Sequence, residues 1–315
     1  MSLQLAKQKH PIEETLERLR KQLSKFNDDE EATTEKHGIW SLKKILVLHD
    51  YIKPYLQIVR NNGYKNVHYV DPFSGSGFLK IDRKIMPGTP LIPILSTREL
   101  ITKNKSWCFD SCYYSDSDKF YISELDKRIK ILKNGLPTRF EIEHKMFRTA
   151  AYTKFTGAPP LPKNEKDNAY LVVLDPYGFD VYWEYLEQIL KSGPVDVILT
   201  FPSELANWTK TMSNSQDKLQ RMFGGNDFIN FESSNEFVER YCEKIEKTPM
   251  PWRKKTTAIT VDAGKQTYHL ICISRSGGAL KVFSSMQKKF DDISTEKLQG
   301  MFNAATGSGL SSWYA

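Results

Sequence analysis

Cysteine is scarce in this sequence, with four residues in a chain of 315. Cys108 and Cys112 stand too far apart for a C-x-x-C pair, and Cys242 and Cys272 are isolated. No histidine lies beside them at metal-ligand spacing. We therefore expect buried free thiols in a reducing compartment, and we predict neither zinc, nor any other metal site, nor disulfides.

Long apolar runs are also missing. The longest, such as residues 170–174 and 195–199, are far too short to cross a bilayer. Residues 1–20 are polar and charged, and show no signal-peptide pattern. These absences predict a cytoplasmic protein with no membrane partner.

Two nucleotide-binding fingerprints are incomplete. The G-S-G string at residues 75–77 lacks the third glycine of G-x-G-x-x-G, and no G-K-[ST] follows it. Both the dinucleotide and the P-loop interpretations therefore lose support. A nicotinamide-dependent dehydrogenase remains only as a third hypothesis.

The residues that are present are typical of a globular protein, with 40% hydrophobic, 12% aromatic and 26% charged. The length fits one large α/β domain with insertions, or two small domains. The net charge of +7 suits an anionic partner such as nucleic acid, because Lys and Arg displace counterions from phosphates. Scattered solvated lysines are an equally common explanation, so this indication is weak.

Pattern divides the chain into four segments. They are an N-terminal helix and polar linker (1–38), a core of alternating strands and helices (39–202), a partly helical insertion that is a candidate substrate or partner region (203–255), and the end of the sheet with a final helix and loose tail (256–315).

The alternation within the core predicts a mostly parallel sheet with right-handed crossovers. Predicted helices cover about 41–61, 91–100, 119–134 and 181–191, and predicted strands cover 66–70, 107–115, 139–144, 169–174 and 195–200. Ser41 and Thr89 are expected N-caps, and residues 80–87 are expected to form a loop. Two adjacent strands, 256–261 and 266–273, would close the sheet as an antiparallel pair.

The first strand of the core ends in the string D-P-F-S-G-S-G, residues 71–77. In α/β sheets, ligands bind at the carboxyl ends of strands. Gly75 and Gly77 lack side chains, so main-chain N–H groups there can approach an anionic group closely. Asp71 can accept hydrogen bonds from a ligand ammonium. A turn with a capping aspartate would not explain the whole string.

This string resembles the motif I form D-P-F-x-G-S-G of DNA amino-methyltransferases, and Asp175-Pro176-Tyr177 resembles the start of their catalytic D-P-P-Y block. Over roughly residues 40–290 the chain is more similar to the three-Cys-motif partner proteins. The shared blocks, in chain order, are W-x-x-x-K at Trp40 to Lys44, the glycine-rich motif, G-[ST]-P at 88–90, L-D-P-[FY]-G at 174–178 and D-V-x-x-x-F-P at 196–202.

The resemblance implies a Rossmann-like class I methyltransferase sheet with N-terminal helices and a helical insertion, and S-adenosylmethionine as cofactor. An antiparallel finish fits this fold better than a dehydrogenase. The resemblance also implies a radical-type three-cysteine protein as a possible partner. It does not supply the methyl acceptor.

The implied cofactor-binding residues are Asp71, Phe73, Gly75, Gly77 and Asp116. The two glycines would face the methionyl carboxylate, Asp71 the ammonium, and Asp116 the ribose hydroxyls, as an acid does there in Rossmann-like sites. Asp118 is a rival for the ribose, and capping of the next helix is an alternative role for either acid. Residues 144–148 offer no acid for the adenine amine.

The implied catalytic residues are Asp175, Pro176 and Tyr177. Methyl transfer needs alignment and a dry site more than a strong base. Asp175 could accept the hydrogens of an exocyclic base amine, and Tyr177 or Phe179 could stack on a base taken out of its duplex. The string departs from D-P-P-Y, because Tyr177 replaces the second proline and Gly178 the aromatic residue. Asp175 and Pro176 could alternatively just shape a strand end.

A basic-aromatic stretch at residues 251–255, with Trp252 as a stacking surface, could grip a phosphate backbone, although such stretches are more often solvated linkers. His68, on its strand, is expected to be packed or exposed rather than catalytic. The leading hypothesis is a methyltransferase that acts on DNA or RNA. The runner-up is a non-catalytic, cofactor-binding partner subunit, and the departure from D-P-P-Y keeps it open.

Overall fold

The computed structural model describes residues 9–28, 37–147, 167–205, 213–226, 231–250, 254–262, 267–291 and 293–307. Its strands are β1 (Asn66–Asp71), β2 (Phe78–Ile81), β3 (Lys84–Pro87), β4 (Ser111–Asp116), β5 (Arg139–His144), β6 (Asn168–Leu174), β7 (Val195–Phe201), β8 (Lys255–Asp262) and β9 (Thr267–Ser274). Its helices are α1 (Pro11–Gln22), α2 (Ser41–Asn61), α3 (Ile92–Ile101), α4 (Lys119–Leu132), α5 (Trp183–Lys191), α6 (Ser213–Phe223), α7 (Ser234–Lys247), α8 (Gly277–Asp291) and α9 (Thr295–Thr306).

Seven strands form one sheet in the order β5-β4-β1-β6-β7-β9-β8. The pairs from β5 to β7 are parallel, whereas β9 runs antiparallel to both β7 and β8. Strand β9 therefore lies between β7 and β8, which both run in the same direction as the other strands of the sheet. The expected antiparallel finish is confirmed, with β9 as the reversed strand and β8 as the edge.

Alternate residues of the central strands pack into two separate apolar clusters, because successive side chains of a strand point to opposite faces. On β6, Leu171 and Val173 belong to one cluster, and Val172 and Leu174 to the other. The first cluster includes residues of α1–α4, α8 and α9, and the second includes residues of α5–α7. The sheet is thus covered on both faces, as a buried parallel sheet requires.

The N-terminal helices belong to the same core as the sheet. Helix α1 buries Ile12, Leu16 and Leu19, and it contacts α9 near the other end of the chain. Helix α2 buries Ile45, Tyr51 and other residues along much of its length against α3 and α8. Its amino end reaches the carboxyl edge of the sheet, where the candidate site lies.

Residues 80–87 are not the expected loop. Strands β2 and β3 pair antiparallel as a separate hairpin. Asp82 and Arg83, at its turn, both have positive φ, 45° and 65°, as tight two-residue hairpin turns require. Ile81 and Ile85 are buried in the first apolar cluster, so the hairpin is fixed by packing on the rest of the chain.

The two expected N-caps are also wrong. Trp40 stands at the N-cap of α2, so Ser41 is already the first helical residue. Gly88 precedes a 3-10 turn over Thr89–Leu91, and α3 begins after it. Neither of the observed N-cap residues, Trp40 of α2 and Leu91 of α3, makes a side-chain capping hydrogen bond.

The strand order, the single reversed strand and the flanking helices define a Rossmann-like class I methyltransferase fold. In such sheets the ligand crevice opens at the carboxyl ends of the strands, where the strand order changes direction. In this chain that point lies between β1 and β6.

Candidate functional site

A cleft of about 780 Å³ opens at the carboxyl ends of β1, β4 and β6. Residues from distant parts of the sequence line it. They include Trp40 at the N-cap of α2 and Lys44 within that helix, residues 72–79 and 88–90 around the hairpin, Asp116 at the end of β4, and Ser117, Asp118 and Tyr121 after it. Met146 and Phe147 after β5, residues 175–177 after β6, Asp180, Tyr182 and Tyr185 near α5, and Thr200 and Tyr268 complete the list.

Hydrogen bonds within the protein hold the glycine-rich loop. The main-chain N–H of Ser74 donates to the carbonyl of Ser115 at 3.1 Å, and that of Gly75 donates to Asp116 Oδ2 at 2.9 Å. A methionyl carboxylate at Gly75 would therefore have to share or replace the bond to Asp116. The loop after β1 and the end of β4 form one connected structure.

The two glycines of the loop meet different surroundings. Gly75 has φ +55°, and a Cβ there would meet open space. Gly77 has φ +91°, and a Cβ there would lie 2.8 Å from Leu125 Cδ1 of α4. Both line the cleft. Gly77 thus has a packing requirement of its own, whereas Gly75 is the position where an added side chain would meet no protein atom.

Asp71 is fully buried at the end of β1 and is not among the residues that line the cleft. Its Oδ1 accepts a hydrogen bond from the main-chain N–H of Phe73 at 3.1 Å, and Oδ2 has no partner among the described residues. Burial, and then the negative charge of Asp175, raise the pKa of Asp71 to about 8. The ammonium contact predicted for Asp71 remains a prediction, because the buried side chain does not line the cleft.

Asp116 and Asp118 have separate roles in the loop after β4. Asp116 ends β4, and besides Gly75 it accepts from the main-chain N–H of Asp118, through Oδ1 at 2.9 Å. Asp118 is the N-cap of α4, where it accepts from the N–H groups of Phe120 and Tyr121. The capping alternative therefore describes Asp118. Asp116 lines the cleft, and the predicted contact with a ribose remains a prediction.

Asp175 is paired with a lysine from α2. It follows the last residue of β6, and its Oδ2 accepts a hydrogen bond from Lys44 Nζ at 2.5 Å. The two side chains are 16% and 18% exposed. The spacing of W-x-x-x-K marked Lys44 without giving it a role, because the partner lies 131 positions away in sequence.

Tyr177 is the most exposed large apolar residue of the described chain, with 87% of its surface accessible. It follows Pro176 in the cleft lining, and Gly178 after it has φ +89°. Trp40 also lines the cleft and is 39% exposed. The mouth of the cleft therefore presents aromatic rings to solvent. Phe179, the other expected stacking residue, is buried in the second apolar cluster instead.

A row of aromatic rings forms one wall of the cleft. Phe73 and Phe147 lie 4.8 Å apart between ring centroids, Phe147 and Tyr185 lie 5.9 Å apart, and Tyr185 stacks on Tyr182 at 6.2 Å. Sequence reasoning missed Phe147 and both tyrosines as site residues. Their positions after β5 and near the start of α5 give no periodic signal.

The cleft is acidic although the chain is basic. The charged residues among its described lining are four aspartates, at 116, 118, 175 and 180, and one lysine, Lys44. Such a lining attracts a cationic ligand and repels a phosphate or pyrophosphate. It therefore argues against a dinucleotide cofactor.

The basic stretch at 251–255 falls partly outside the described residues, because 251–253 are not described. Lys254 is buried, and its ammonium donates to the carbonyl of Val195. Burial lowers the pKa of Lys254 to about 8. The expectation of a phosphate grip is thus wrong for Lys254, while Lys255 is exposed.

His68 is packed, as expected. Its ring nitrogens bond to Ser111 Oγ at 2.8 Å and Asn168 Oδ1 at 2.9 Å, and the ring stacks on Tyr170. In the part of the chain that the structure describes, no cluster of three or more His, Cys, Asp or Glu residues could hold a metal ion. None of the described helices is long and apolar enough to cross a membrane.

No family model and no curated protein matches this chain. Among solved structures, an O-methyltransferase from Bacillus cereus in complex with SAH is 11% identical, with a TM-score of 0.40 over 86% of this chain and 93% of that one. Trm1 from Pyrococcus horikoshii with S-adenosyl-L-methionine is 11% identical, with a TM-score of 0.39 over 82% and 58%. Protein LPL1258 from Legionella pneumophila is 11% identical, with a TM-score of 0.44 over 78% and 91%. At these values, the fold class rests on the chain's own strand order.

Proposed function

We propose that this protein is an S-adenosylmethionine-dependent methyltransferase that acts on an exocyclic base amine of DNA or RNA. The observation that carries the proposal is that the separate sequence motifs meet at one cleft. This cleft is lined by segments that lie far apart along the chain. They are Trp40 and Lys44, the glycine loop, residues 88–90, the string 175–177 and Thr200. These are the blocks that resemble the three-Cys-motif partner proteins and the amino-methyltransferases, so we also propose that relationship.

The chemistry of the cleft supports the cofactor. When bound, S-adenosylmethionine supplies a methyl group on a cationic sulfonium. Four aspartates suit a ligand with sulfonium and ammonium charges, whereas NAD carries an anionic pyrophosphate. The aromatic wall at Phe73 and Phe147 offers a flat apolar surface to an adenine ring.

The position of Asp175 supports an amine acceptor. The carboxylate can accept a hydrogen bond from the amine and hold its lone pair towards the methyl group. The acidic lining favours a neutral base in the cleft and keeps phosphates outside it. Tyr177 and Trp40, exposed at the mouth, can stack on a base that has left its duplex.

Two measurements test the proposal together. Titration calorimetry with S-adenosylmethionine, S-adenosylhomocysteine and NAD should show binding of the first two only. Transfer of labelled methyl groups into mixed DNA and RNA should be detected for the parent protein. The Asp175→Asn variant should lose about 10²–10³-fold in kcat while cofactor affinity stays nearly intact, because the lost interaction forms chiefly in the transition state.

The outcomes separate the alternatives. Cofactor binding without transfer to any nucleic acid, with or without a three-cysteine partner protein, would favour the non-catalytic partner subunit. An Asp175→Asn variant that loses cofactor affinity and stability together would show that Asp175 shapes a strand end and has no catalytic role.

A further inference from the structure

Asp175 has one hydrogen-bond partner among the described side chains, and that partner comes from outside the sheet. Lys44 lies in α2, before β1, and its ammonium contacts only one carboxylate oxygen, Oδ2. No described group donates to Oδ1, although the residue lines the cleft. One oxygen is therefore held and the other is available to a ligand.

Among the described residues that line the cleft with Asp175, Lys44 is the one lysine or arginine. The charge of Asp175 contributes to the raised pKa of Asp71, at the end of β1, and of Tyr268, on β9, where burial is the larger cause in both cases. Without Lys44, the carboxylate would face these groups with no described cation to hold it. Asp71, protonated near neutral pH, and the neutral phenol of Tyr268 would not replace the cation, so the carboxylate would be free to rotate.

We propose that Lys44 is a positioning residue that holds Asp175 Oδ2, so that Oδ1 accepts the hydrogen bond from the acceptor amine. This inference rests on the proposed function. During transfer, the amine lone pair forms the N–C bond as the S–C bond breaks, leaving a neutral thioether. The surplus proton on nitrogen passes to water. Lys44 contacts none of the reacting atoms and acts through Asp175.

The test compares two lysines of α2. Lys44→Met should lower kcat by about a hundredfold with little change in cofactor affinity or acceptor KM, because misplacing a reacting group by about 1 Å costs that much. Lys44→Arg, which keeps the cation, should recover much of the loss. Lys53→Met is the matched control. Lys53 Nζ lies 2.5 Å from Glu99 Oε2, the same distance as in the Lys44–Asp175 pair, and Lys53 does not line the cleft.

A double variant shows whether Lys44 acts through Asp175. In the Asp175→Asn background, Lys44→Met should cause no further loss of kcat, because coupled residues are not additive. Additive losses, or a Lys44→Met variant as active as the parent, would overturn the positioning role.

A readout independent of activity distinguishes this failure from that of the proposed function. The side-chain carboxylate ¹³C signal of Asp175 should shift in Lys44→Met and stay unchanged in Lys53→Met. An unchanged signal in Lys44→Met would overturn the ion pair itself. If the signal shifts in Lys44→Met but the parent protein transfers no methyl group, the proposed function is contradicted while the contact between Lys44 and Asp175 is supported.

Discussion

Asp71 is a carboxylic acid placed where its charge is unfavourable. Burial and the charge of Asp175 raise its pKa to about 8, and one of its oxygens has no partner among the described residues. Near neutral pH the folded protein therefore holds a proton on this group. A cation brought beside it would favour the ionised form, so cofactor binding and proton release at Asp71 are expected to be linked.

The stability of the protein should depend on this proton. In the unfolded chain Asp71 ionises near its ordinary pKa, about 3.9, so between that pH and about 8 the folded state binds more protons. The free energy of unfolding should therefore decrease as pH rises through this range, by up to about 1.4 kcal/mol per pH unit from this group.

The Asp71→Asn variant isolates the effect, because an amide of similar shape does not titrate. Relative to the parent, it should gain stability steadily from pH 5 to pH 8 in urea unfolding experiments. A stability difference between the two proteins that is independent of pH would contradict the proton assignment.

At the scale of elements, the glycine loop is part of the packing between β1, β4 and α4. Gly75 is tied to Asp116, while Gly77 is confined by Leu125 and its carbonyl accepts from the N–H of Gly88 at 2.7 Å. The loop can thus be rigid before a ligand arrives, which reduces the entropy lost on binding.

Two alanine variants should separate packing from ligand binding. Gly77→Ala combines a left-handed φ with a 2.8 Å approach to Leu125, and should lower the free energy of unfolding by about 1–3 kcal/mol. Gly75→Ala meets open space, so it should cost only about 1 kcal/mol of backbone strain. Its methyl group should instead weaken cofactor binding in calorimetry. If the two variants lost equal stability and Gly75→Ala bound the cofactor as tightly as the parent, the separate roles of the two glycines would be contradicted.

At the scale of the whole molecule, charge is unevenly distributed. The chain carries +7, yet its cleft contains four aspartates and one lysine among the described residues. The nucleic-acid acceptor that we propose would therefore contact cations of the protein outside the cleft and insert only an uncharged base into it.

Binding of nucleic acid should be weak and strongly dependent on salt. Affinity for single-stranded oligonucleotides, measured by fluorescence anisotropy, should fall steeply from about 50 to about 200 mM salt as counterions compete. Lys255→Ala should weaken binding slightly, because Lys255 is exposed beside the buried Lys254. No binding even at low salt would shift the acceptor towards a protein or a small molecule.

Much of the fold followed from local pattern. The predicted bounds of the strand at 139–144 and of the helix at about 41–61 agree with β5 and α2. The hairpin of β2 and β3 did not follow, because its strands are short and their apolar residues, Ile81 and Ile85, are buried by packing from distant elements.

The sequence by itself determined the α/β alternation, the reversed strand near the end and the motif strings, because each depends on neighbours within a few positions. Only the tertiary structure decided that Lys44 pairs with Asp175, that Asp71 is buried, and that Lys254 is removed from solvent. It also decided that a basic chain has an acidic cleft. These properties depend on which residues the sheet brings together from distant positions in the sequence. Local periodicity does not predict such contacts.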